Sequence, residues 1–421
     1  MPEFLTLLPP DEARERLFSH LPAPVIATET IDVAASLGRV CAEDIRAPHP
    51  LPAFPRSSVD GYAVRARDTY GASDSLPAYL PLAGEVPMGD APSSALRVGQ
   101  CMLIHTGGML PENADAVVML EYTQQTGSPG QGGEIEILRA VAEGENVIAV
   151  GEDVAEGQVV QAAGSRMRPA EVGGLMALGI TELRVARKAR VGLISSGDEV
   201  VPPHVSPRPG QVRDINSYTL AALIEQTGGE ACLYGIVRDS FDALQAVAVR
   251  ALVECDMLVI TAGSSASTRD MTAEVIDTLG QPGVLVHGVN TRPGKPTILG
   301  VCNGKAVIGL PGNPVSALVN GYLFVAPVLE RLMGIRSRPR AVVQARLAVN
   351  LPSQAGREDW WPVKLLFSPS EGGAGGEAWI ADPIFGKSNL IFTLAAADGL
   401  LRIPPDATGL SAEEMVEVVL L

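Results

Sequence analysis

From residue 188 onward, short apolar runs alternate with longer segments in which apolar residues recur every three or four positions. The short runs are rich in β-branched residues, which is typical of buried strands, and the longer segments have helical spacing. This alternation predicts βαβ units around a mostly parallel sheet with right-handed crossovers. The predicted strands are 189–197, 230–237, 256–263, 283–289 and 305–312, and the predicted helices are 217–228, 241–254, 272–280 and 314–334.

The pattern is different before this region and after it. Residues 10–20 predict an amphipathic helix behind two prolines, residues 28–45 a helix followed by a short strand, and residues 168–180 another helix. Between about 47 and 146, short apolar segments are separated by Gly, Pro and Asn, which predicts a β-rich module. Short strands around a Gly-rich loop predict a small β domain over 340–421.

A chain of 421 residues is too long for one hydrophobic core, so we expect several domains. The predicted fold class is multidomain α/β plus β, with a central α/β domain around a mostly parallel sheet, a β-rich second domain and a small C-terminal β domain. Domain I is mixed and discontinuous, domain II is β-rich, domain III is α/β and domain IV is β. The expected boundaries are 1–46 with 147–187, 47–146, 188–335 and 340–421.

Composition excludes some classes of function. Hydrophobic residues make up 46% and charged residues 19%, which suits a folded chain. With 48 acidic against 32 basic residues the net charge is −16, which argues against a general binder of nucleic acid or anionic membranes. The five cysteines form no CxxC motif and the five histidines do not cluster, so we expect reduced thiols and no zinc site. We also expect a cytoplasmic protein, without a signal peptide or an apolar run of membrane-spanning length.

Three loops follow predicted strands of the α/β domain. The carboxyl ends of parallel strands share one edge of a sheet, where ligands bind. Glycine lets backbone N–H groups approach a ligand, and a helix N-terminus favours an anion, so the loops predict an anion site. The alternative for each loop is a tight turn that binds nothing. The candidate residues are Ser195, Ser196, Gly197, Ser264, Ser265, Ser267, Pro311, Gly312, Asn313 and Ser316.

Charged residues make the prediction of an anion site more specific. Glu199 and Asp270 follow strand ends beside Ser/Gly loops, and there they could hold a divalent cation or remain solvated carboxylates. Arg292 and Lys295 flank Gly294 in a proline-stiffened turn that predicts a phosphate clamp. The residues alone therefore predict an α/β domain that binds a phosphorylated ligand, with a divalent ion. The reaction does not follow from them.

Seven long motifs resemble the MoeA family of molybdenum insertases, which includes the E domain of gephyrin. The resemblance extends over nearly the whole chain. The motifs are PAFPRSSVDGYAVRARD at 52–68, HTGGMLPENADAVVMLE at 105–121, GED at 151–153, SSGDEV at 195–200, PGQVRDINSYTLAALI at 209–224, RPGKP at 292–296 and LPGNPVSAL at 310–318.

The resemblance implies an elongated homodimer of four-domain subunits, in which the central α/β domain is of the molybdopterin-binding type. The active site would lie between the α/β domain of one subunit and the β-rich second domain of the other. The implied enzyme is a molybdopterin molybdotransferase that inserts molybdate into adenylylated molybdopterin and releases AMP and molybdenum cofactor, with Mg²⁺ assisting. An upstream adenylyltransferase is then a possible partner, and neither nucleic acid nor a membrane is expected.

The resemblance also implies roles for individual residues. Asp60 and Thr106 would reach across the dimer into the site, and Asp153 and Glu199 match acidic positions of the family. The remaining matches are Asp239 and Asp270 near the pterin and the metal, Arg292 and Lys295 as phosphate clamp, and Arg357 and Ser388 from the last domain close to the cleft. Glu199 and Asp270 would be the metal ligands.

Two departures from the family pattern leave alternatives open. The loop AGSSASTRD at 262–270 stands where the family usually has Gly-Gly-Val-Ser, and Arg292 stands where Lys is usual. The preferred oxyanion is therefore open between molybdate and tungstate.

Two other functions are alternatives to the insertase. One is a molybdopterin adenylyltransferase, which would release pyrophosphate from ATP. The other is a peptide-binding scaffold like gephyrin, whose trimerising domain and long linker this sequence does not contain.

Overall fold

The computed structural model describes residues 7–126, 133–262, 266–336, 339–368 and 378–421. Its central feature is a six-stranded sheet of β1 (Arg190–Ser196), β2 (Glu230–Val237), β3 (Met257–Ala262), β4 (Pro282–His287), β5 (Ile298–Cys302) and β6 (Lys305–Pro311). The strands lie in the order β2-β1-β3-β6-β5-β4. The first three pairings are parallel and the last two are antiparallel, so the predicted mostly parallel sheet is confirmed.

Helices cover both faces of this sheet. The helices of this part are α1 (Asn216–Thr227), α2 (Phe241–Glu254), α3 (Ala266–Thr278), α4 (Pro314–Asn320) and α5 (Ala326–Leu332). One face packs against α1, α4, α5 and the N-terminal helix Pro10–His20, through buried residues such as Leu17, Leu220 and Phe324. The other face packs against α2 and α3, through Leu244 and Ile276 among others. Burial on both faces explains why the strands read as continuous apolar runs.

A π-helical turn, Gly321–Val325, joins α4 to α5 into one long helical segment. Within the described residues this segment, Pro314–Leu332, is the one helix that is long and apolar enough to cross a membrane by length and composition. The expectation that no apolar run reaches this length was therefore wrong. The segment is 67% buried inside the protein, and its apolar character is that of a core helix.

The segments that flank the second module pair with each other. Strand Thr28–Asp32 lies antiparallel to Glu182–Ala186, and Ile45–Arg46 lies antiparallel to Val159–Gln161. The helix predicted at the start of 28–45 was therefore wrong, because the β-branched residues there form a strand with a distant partner, whereas the short strand predicted after it is present as Ile45–Arg46. The predicted helices at 10–20 and 168–180 are present as Pro10–His20 and Pro169–Ala177.

The second module is built on its own six-stranded sheet with a separate apolar core. In spatial order its strands are Ala116–Met119, Gly61–Val64, Cys101–Ile104, Ala78–Glu85, Glu134–Ile137 and Thr123–Thr126. The shorter elements of the chain are the strand pairs Arg56–Ser57 with Val147–Ile148, Val200–Val201 with Val212–Arg213 and Leu351–Pro352 with Gly409–Leu410, the 3₁₀ turns Val33–Ala35, Ala66–Thr69 and Leu120–Tyr122, and helix Ile391–Ala395.

The C-terminal sheet also has six strands, and one of them comes from the α/β part. Strand Thr291–Arg292 pairs in parallel with the first residues of Glu358–Ser368. The remaining strands are Ala378–Pro383, Val342–Leu347, Met415–Leu420 and Gly399–Ile403. This pairing brings the RPGKP turn against the C-terminal module. The four predicted domain boundaries themselves stay a prediction.

Candidate functional site

Two neighbouring cavities open where the carboxyl ends of β1, β3 and β6 meet the C-terminal module. The first, which we name the acidic cavity, has a volume of about 720 Å³, and the second, the basic cavity, has about 740 Å³. Both are lined by Asn313 and Asn389, so the two cavities share a wall. The acidic cavity is lined by Ser195, Ser196, Glu199, Asp214, Asn216, Thr261 and Gly312 among others, and the basic cavity by Arg292, Lys295, Ser316, Arg357, Lys387 and Ser388 among others.

Hydrogen bonds fix the polar groups of the acidic cavity. The Ser196 hydroxyl donates to Asp239 Oδ1 at 2.7 Å, which ties the end of β1 to the loop after β2. The buried Asp214 accepts the Ser217 N–H at 3.1 Å and so holds the start of α1. Asn216 Nδ2 donates to the Gly312 carbonyl at 2.9 Å, whereas its buried Oδ1 has no hydrogen-bond partner in the described part of the chain. An unpaired buried acceptor at a cavity wall suits a ligand that donates a hydrogen bond.

A buried carboxylate organises the arginines of the basic cavity. Asp359 is 1% exposed and accepts two hydrogen bonds from Arg357, from Nε at 2.6 Å and from Nη2 at 2.9 Å. Arg292 Nη1 lies 3.8 Å from the same carboxylate, and its guanidinium lies over the Trp361 ring at 5.1 Å from the centroid. Two guanidinium groups are therefore held in place, and one buried charge partly offsets them.

Two lysines of the basic cavity add positive charge that no described residue neutralises. Lys295 and Lys387 are exposed, and their ammonium groups form no hydrogen bond or ion pair with any described residue. Among the described residues that line the basic cavity there is no Asp or Glu. The protein as a whole has a net charge of −16, whereas the side chains of this cavity are positively charged. Such a local concentration of positive charge suits an oxyanion or a phosphate as ligand.

The Leu-Pro-Gly-Asn-Pro turn joins α4 to the C-terminal module. The Val315 N–H donates to the Ser388 carbonyl at 3.0 Å, and Asn313 Nδ2 donates to the Ser388 hydroxyl at 3.1 Å. The first backbone donor of α4 is therefore used inside the protein and is not free for a phosphate. Ser388 is brought beside Asn313 and Ser316 on the wall of the basic cavity.

The RPGKP turn is fastened to the same helix. Asn320 is fully buried, and its Nδ2 donates to the Pro293 carbonyl at 3.0 Å and to the Ser316 carbonyl at 2.8 Å. Gly294 has φ +110°, and a Cβ there would lie 1.6 Å from Asn320 Nδ2. The close approach of the turn to α4 therefore requires glycine at this position.

Three predicted site residues lie elsewhere in the chain. Asp60, Thr106 and the exposed Asp153 line neither cavity in the described structure. Asp60 Oδ1 accepts the Thr106 N–H at 2.8 Å and the Thr106 hydroxyl at 3.1 Å. These two bonds, with a smaller effect of His105, lower the pKa of Asp60. Their reach into the site of a partner subunit stays a prediction.

We expect Thr106→Val to raise the pKa of Asp60 part of the way toward its ordinary value. The hydroxyl donor is lost, but the backbone N–H, which has the larger effect, remains. Because the folded pKa is depressed, Asp60 adds stability above its unfolded pKa that is lost as pH falls through the folded value. A carboxyl-carbon NMR titration measures the shift, and Thr106→Ser is the control. An unchanged pKa in Thr106→Val would show that the hydroxyl bond does not form.

The loop after β3 leaves several predictions open. Ser264 and Ser265 lie outside the described residues, and Ser267 and Asp270 lie on α3 with side chains outside the described part. The proposed metal pair of Glu199 and Asp270 is therefore untested. In the described part of the chain, no group of three or more His, Cys, Asp or Glu side chains could hold a metal ion.

The structure also adds residues that sequence reasoning missed. Asp214 and Asn216 lie inside the quoted PGQVRDINSY motif, which was a usable signal. Lys387 and Asn389 precede and follow Ser388, and Trp360 lies shortly after Arg357 in the sequence. No local pattern marks these last three, because their place in the cavity depends on distant pairing.

Similarity to known proteins agrees with this geometry. Molybdopterin molybdenumtransferase 2 of Mycobacterium tuberculosis is 33% identical over 393 residues, which is 92% of this chain and 94% of that protein. The chain belongs to the MoeA family. The molybdopterin molybdenumtransferase of Haemophilus influenzae is 33% identical over 352 residues, which cover 83% of this chain and 84% of that protein. The resemblance found from the motifs is thereby confirmed.

Family models and a solved structure extend the match along the chain. Residues 8–179 match the MoeA N-terminal region (domain I and II), 192–331 the probable molybdopterin binding domain and 344–421 the MoeA C-terminal region (domain IV). A molybdopterin biosynthesis MoeA protein from Pyrococcus horikoshii OT3 superposes with a TM-score of 0.84 at 32% identity, covering 99% of this chain and 100% of that one. The basic cavity of this MoeA member therefore combines residues from two of the matched regions.

Proposed function

We propose that this protein is a molybdenum insertase of molybdenum-cofactor biosynthesis, which transfers molybdate to adenylylated molybdopterin and releases AMP. Family membership supports this reaction class, since the curated relatives are named molybdopterin molybdenumtransferases. The observation that carries the proposal is the basic cavity, where four cationic side chains converge without a lining carboxylate among the described residues. Both substrates carry oxyanion groups that need such a site.

The basic cavity would hold the anionic groups. Arg292 and Lys295 form the phosphate clamp, and the planar fork of arginine matches two phosphate oxygens at once. Arg357, which is held in position by the two hydrogen bonds that it donates to Asp359, presents a fixed charge from the C-terminal module, as does Lys387. Ser388 and Asn313 would add hydrogen bonds to a tetrahedral oxyanion. Donors that are already in place stabilise charge without reorganising during the reaction.

The acidic cavity would hold the rest of the substrate. Its hydroxyl and amide groups suit the hydrogen-bonding edge of a pterin, with Asn216 Oδ1 as an available acceptor. In the overall change, the two dithiolene sulfurs replace two oxygens of molybdate, which take up the two thiol protons and two protons from solvent and leave as water, and hydrolysis of the phosphoanhydride releases AMP. The cations beside the shared wall would stabilise the charge that develops on the leaving phosphate.

A divalent cation fits the residues that are present. Mg²⁺ in nucleotide sites is held by one or two carboxylates together with substrate phosphates, so it needs no preformed cluster of three ligands. Glu199, a half-buried carboxylate among serine hydroxyls, would hold it, with Asp270 as the second proposed ligand. When bound, the ion would polarise the phosphoanhydride and offset its charge.

The other predicted residues keep proposed roles. Asp60, Thr106 and Asp153 would contribute from the partner subunit of a cytoplasmic homodimer, and Asp239 would position Ser196. The loop at 264–270 would influence the choice between molybdate and tungstate. The residues proposed to contact substrate directly are Ser195, Ser196, Gly197, Ser264, Ser265, Ser267, Pro311, Gly312, Asn313 and Ser316.

Oxyanion-dependent release of AMP from adenylylated molybdopterin tests the proposal, with Mg²⁺ present and molybdate and tungstate run in parallel. We expect release with molybdate and a decrease of roughly ten- to hundredfold in Lys295→Gln, because one charge-assisted contact is lost. Lys364→Gln, an exposed lysine outside both cavities, is the matched control. Asp270→Ala tests the second metal ligand.

Other outcomes of this assay would change the proposed reaction or its oxyanion. Release with tungstate alone would make the 264–270 loop the selector of the oxyanion. Pyrophosphate release from ATP, without oxyanion-driven AMP release, would replace the insertase by an adenylyltransferase. Equal activity in Lys295→Gln and Lys364→Gln would contradict the role of the basic cavity.

A further inference from the structure

A third cavity, with a volume of about 960 Å³, lies on the second module. Three arginines line it: Arg65 follows strand Gly61–Val64, Arg67 lies in the 3₁₀ turn Ala66–Thr69, and Arg97 lies in the loop before strand Cys101–Ile104. The cavity shares no described lining residue with the acidic or the basic cavity. It also contains none of the residues to which we assigned a role in the proposed reaction.

None of the three guanidinium groups has a partner in the described part of the chain. Each lacks a hydrogen bond, an ion pair and an aromatic ring contact with the described residues. Several exposed arginines elsewhere do find carboxylates, for example Arg184 with Glu43 at 3.2 Å and Arg346 with Glu413 at 3.2 Å. Three like charges in one cavity repel each other, and 48 acidic residues in this chain leave them uncompensated.

Carboxylates are close by, but they bind backbone groups. Asp115 lines the cavity, and its Oδ1 accepts the Ala66 N–H at 2.6 Å. Asp68 Oδ2 accepts the Gly99 N–H at 2.8 Å. These two bonds hold the turn and the loop that carry the arginines, and the buried Leu96 anchors the loop further. The turn and the loop therefore hold the arginines in place, while neither carboxylate forms an ion pair with their guanidinium groups in the described part of the chain.

We propose that this cavity is a binding site for a compact phosphate polyanion of the diphosphate type. The fork of each arginine matches phosphate oxygens, and three forks suit a ligand with several negative charges. Ser94, Gln100 and Asn113 line the cavity as well and offer neutral donors. No aromatic side chain is among the described lining residues, so the cavity has no surface on which a nucleobase would stack.

Calorimetric titration with inorganic pyrophosphate, in metal-free buffer, tests this site. We expect wild-type protein to bind at two places, the third cavity and the basic cavity. The double variant Arg67→Gln/Arg97→Gln should lose the first, with affinity at least tenfold weaker, and keep the second. The double variant Lys295→Gln/Lys387→Gln should show the reverse, so failure of the proposed function and failure of this site give different results.

A conservative substitution separates the contribution of the guanidinium geometry to pyrophosphate binding from that of its charge. Arg97→Lys keeps the charge but loses the fork, and we expect affinity between wild type and Arg97→Gln. Arg67 and Arg97 are exposed, so an unchanged melting temperature should show that the variants fold. Unchanged pyrophosphate stoichiometry and affinity in Arg67→Gln/Arg97→Gln would overturn the proposal. Binding of polyglutamate but not of pyrophosphate would also overturn it, in favour of an acidic protein partner.

Discussion

Gly294→Ala is expected to lower the free energy of unfolding by about 2–4 kcal/mol and to impair oxyanion-dependent AMP release. Gly294 has φ +110°, and an added Cβ would lie 1.6 Å from Asn320 Nδ2. Asn320 cannot move aside cheaply, because it is fully buried and donates to the carbonyls of Pro293 and Ser316. The RPGKP turn must therefore shift away from α4, and Arg292 and Lys295 shift with it. Urea unfolding and the AMP assay measure the two effects.

Two control substitutions separate the steric clash of the added Cβ with Asn320 from the conformational free energy of a positive φ. Gly356 also has a positive φ, +84°, but a Cβ there would have nothing within 4 Å. Gly356→Ala should therefore cost only about 1–2 kcal/mol for the left-handed conformation. In Gly294→Ala/Asn320→Ala the colliding amide is absent, so the two substitutions should be strongly non-additive. If Gly294→Ala cost no more than Gly356→Ala, the contact with Asn320 would not be the cause.

Arg357→Met is expected to cost about 3–5 kcal/mol of stability and to abolish most oxyanion-dependent activity. Asp359 is 1% exposed and receives two hydrogen bonds from Arg357. Without them, the buried carboxylate would keep Arg292, at 3.8 Å, as its nearest described cation. Methionine retains the apolar stem, so the change mainly removes the charge and the fork. Chemical denaturation and AMP release are the measurements.

An exposed ion pair provides the matched comparison. Arg346 lies 3.2 Å from Glu413, with 46% and 71% of the two side chains exposed. Arg346→Met should cost less than about 1 kcal/mol, because solvent screens the pair. Arg357→Lys, which keeps the charge, should fall between wild type and Arg357→Met. Similar losses in Arg357→Met and Arg346→Met would mean that burial of Asp359 does not set the cost.

Much of the α/β part could be predicted because its signals are local. Strand β2 and helix α2 were predicted with the bounds that the structure shows, 230–237 and 241–254. Strand β5, Ile298–Cys302, is absent from the predicted strands, and its five residues begin just after the proline-rich RPGKP turn. Its antiparallel pairing with β4 and β6 leaves no signal in the sequence of β5 itself.

The wrong helix predicted at the start of 28–45 has a similar cause. Alanines in this segment favour a helix locally. The first residues instead pair with Glu182–Ala186, far along the chain. Because pairing between distant strands depends on the tertiary fold, a propensity over a short window cannot detect it.

From the residues alone, only the part of the candidate site in the α/β domain could be predicted, whereas Arg357 and Ser388 of the C-terminal module came from the family resemblance. The loops after β1 and β6 were expected at one sheet edge, and the structure places Ser195 and Asn313 on the wall of one cavity. Lys387 and Asn389 reach this place because strand Thr291–Arg292 joins the C-terminal sheet beside Glu358. Such pairing across modules follows from neither periodicity nor a motif in either segment.

During synthesis, a ribosome supplies strands β1 to β6 well before it supplies residues 357–389. Until those residues emerge, the RPGKP turn lacks its partner strand, and the Val315 N–H lacks the Ser388 carbonyl that receives it. A nascent chain can therefore form its sheet while the basic cavity is still open on one side. Chains that end before residue 357 would lack Arg357, Lys387 and Ser388, and so would keep only the wall of the basic cavity that the α/β part supplies.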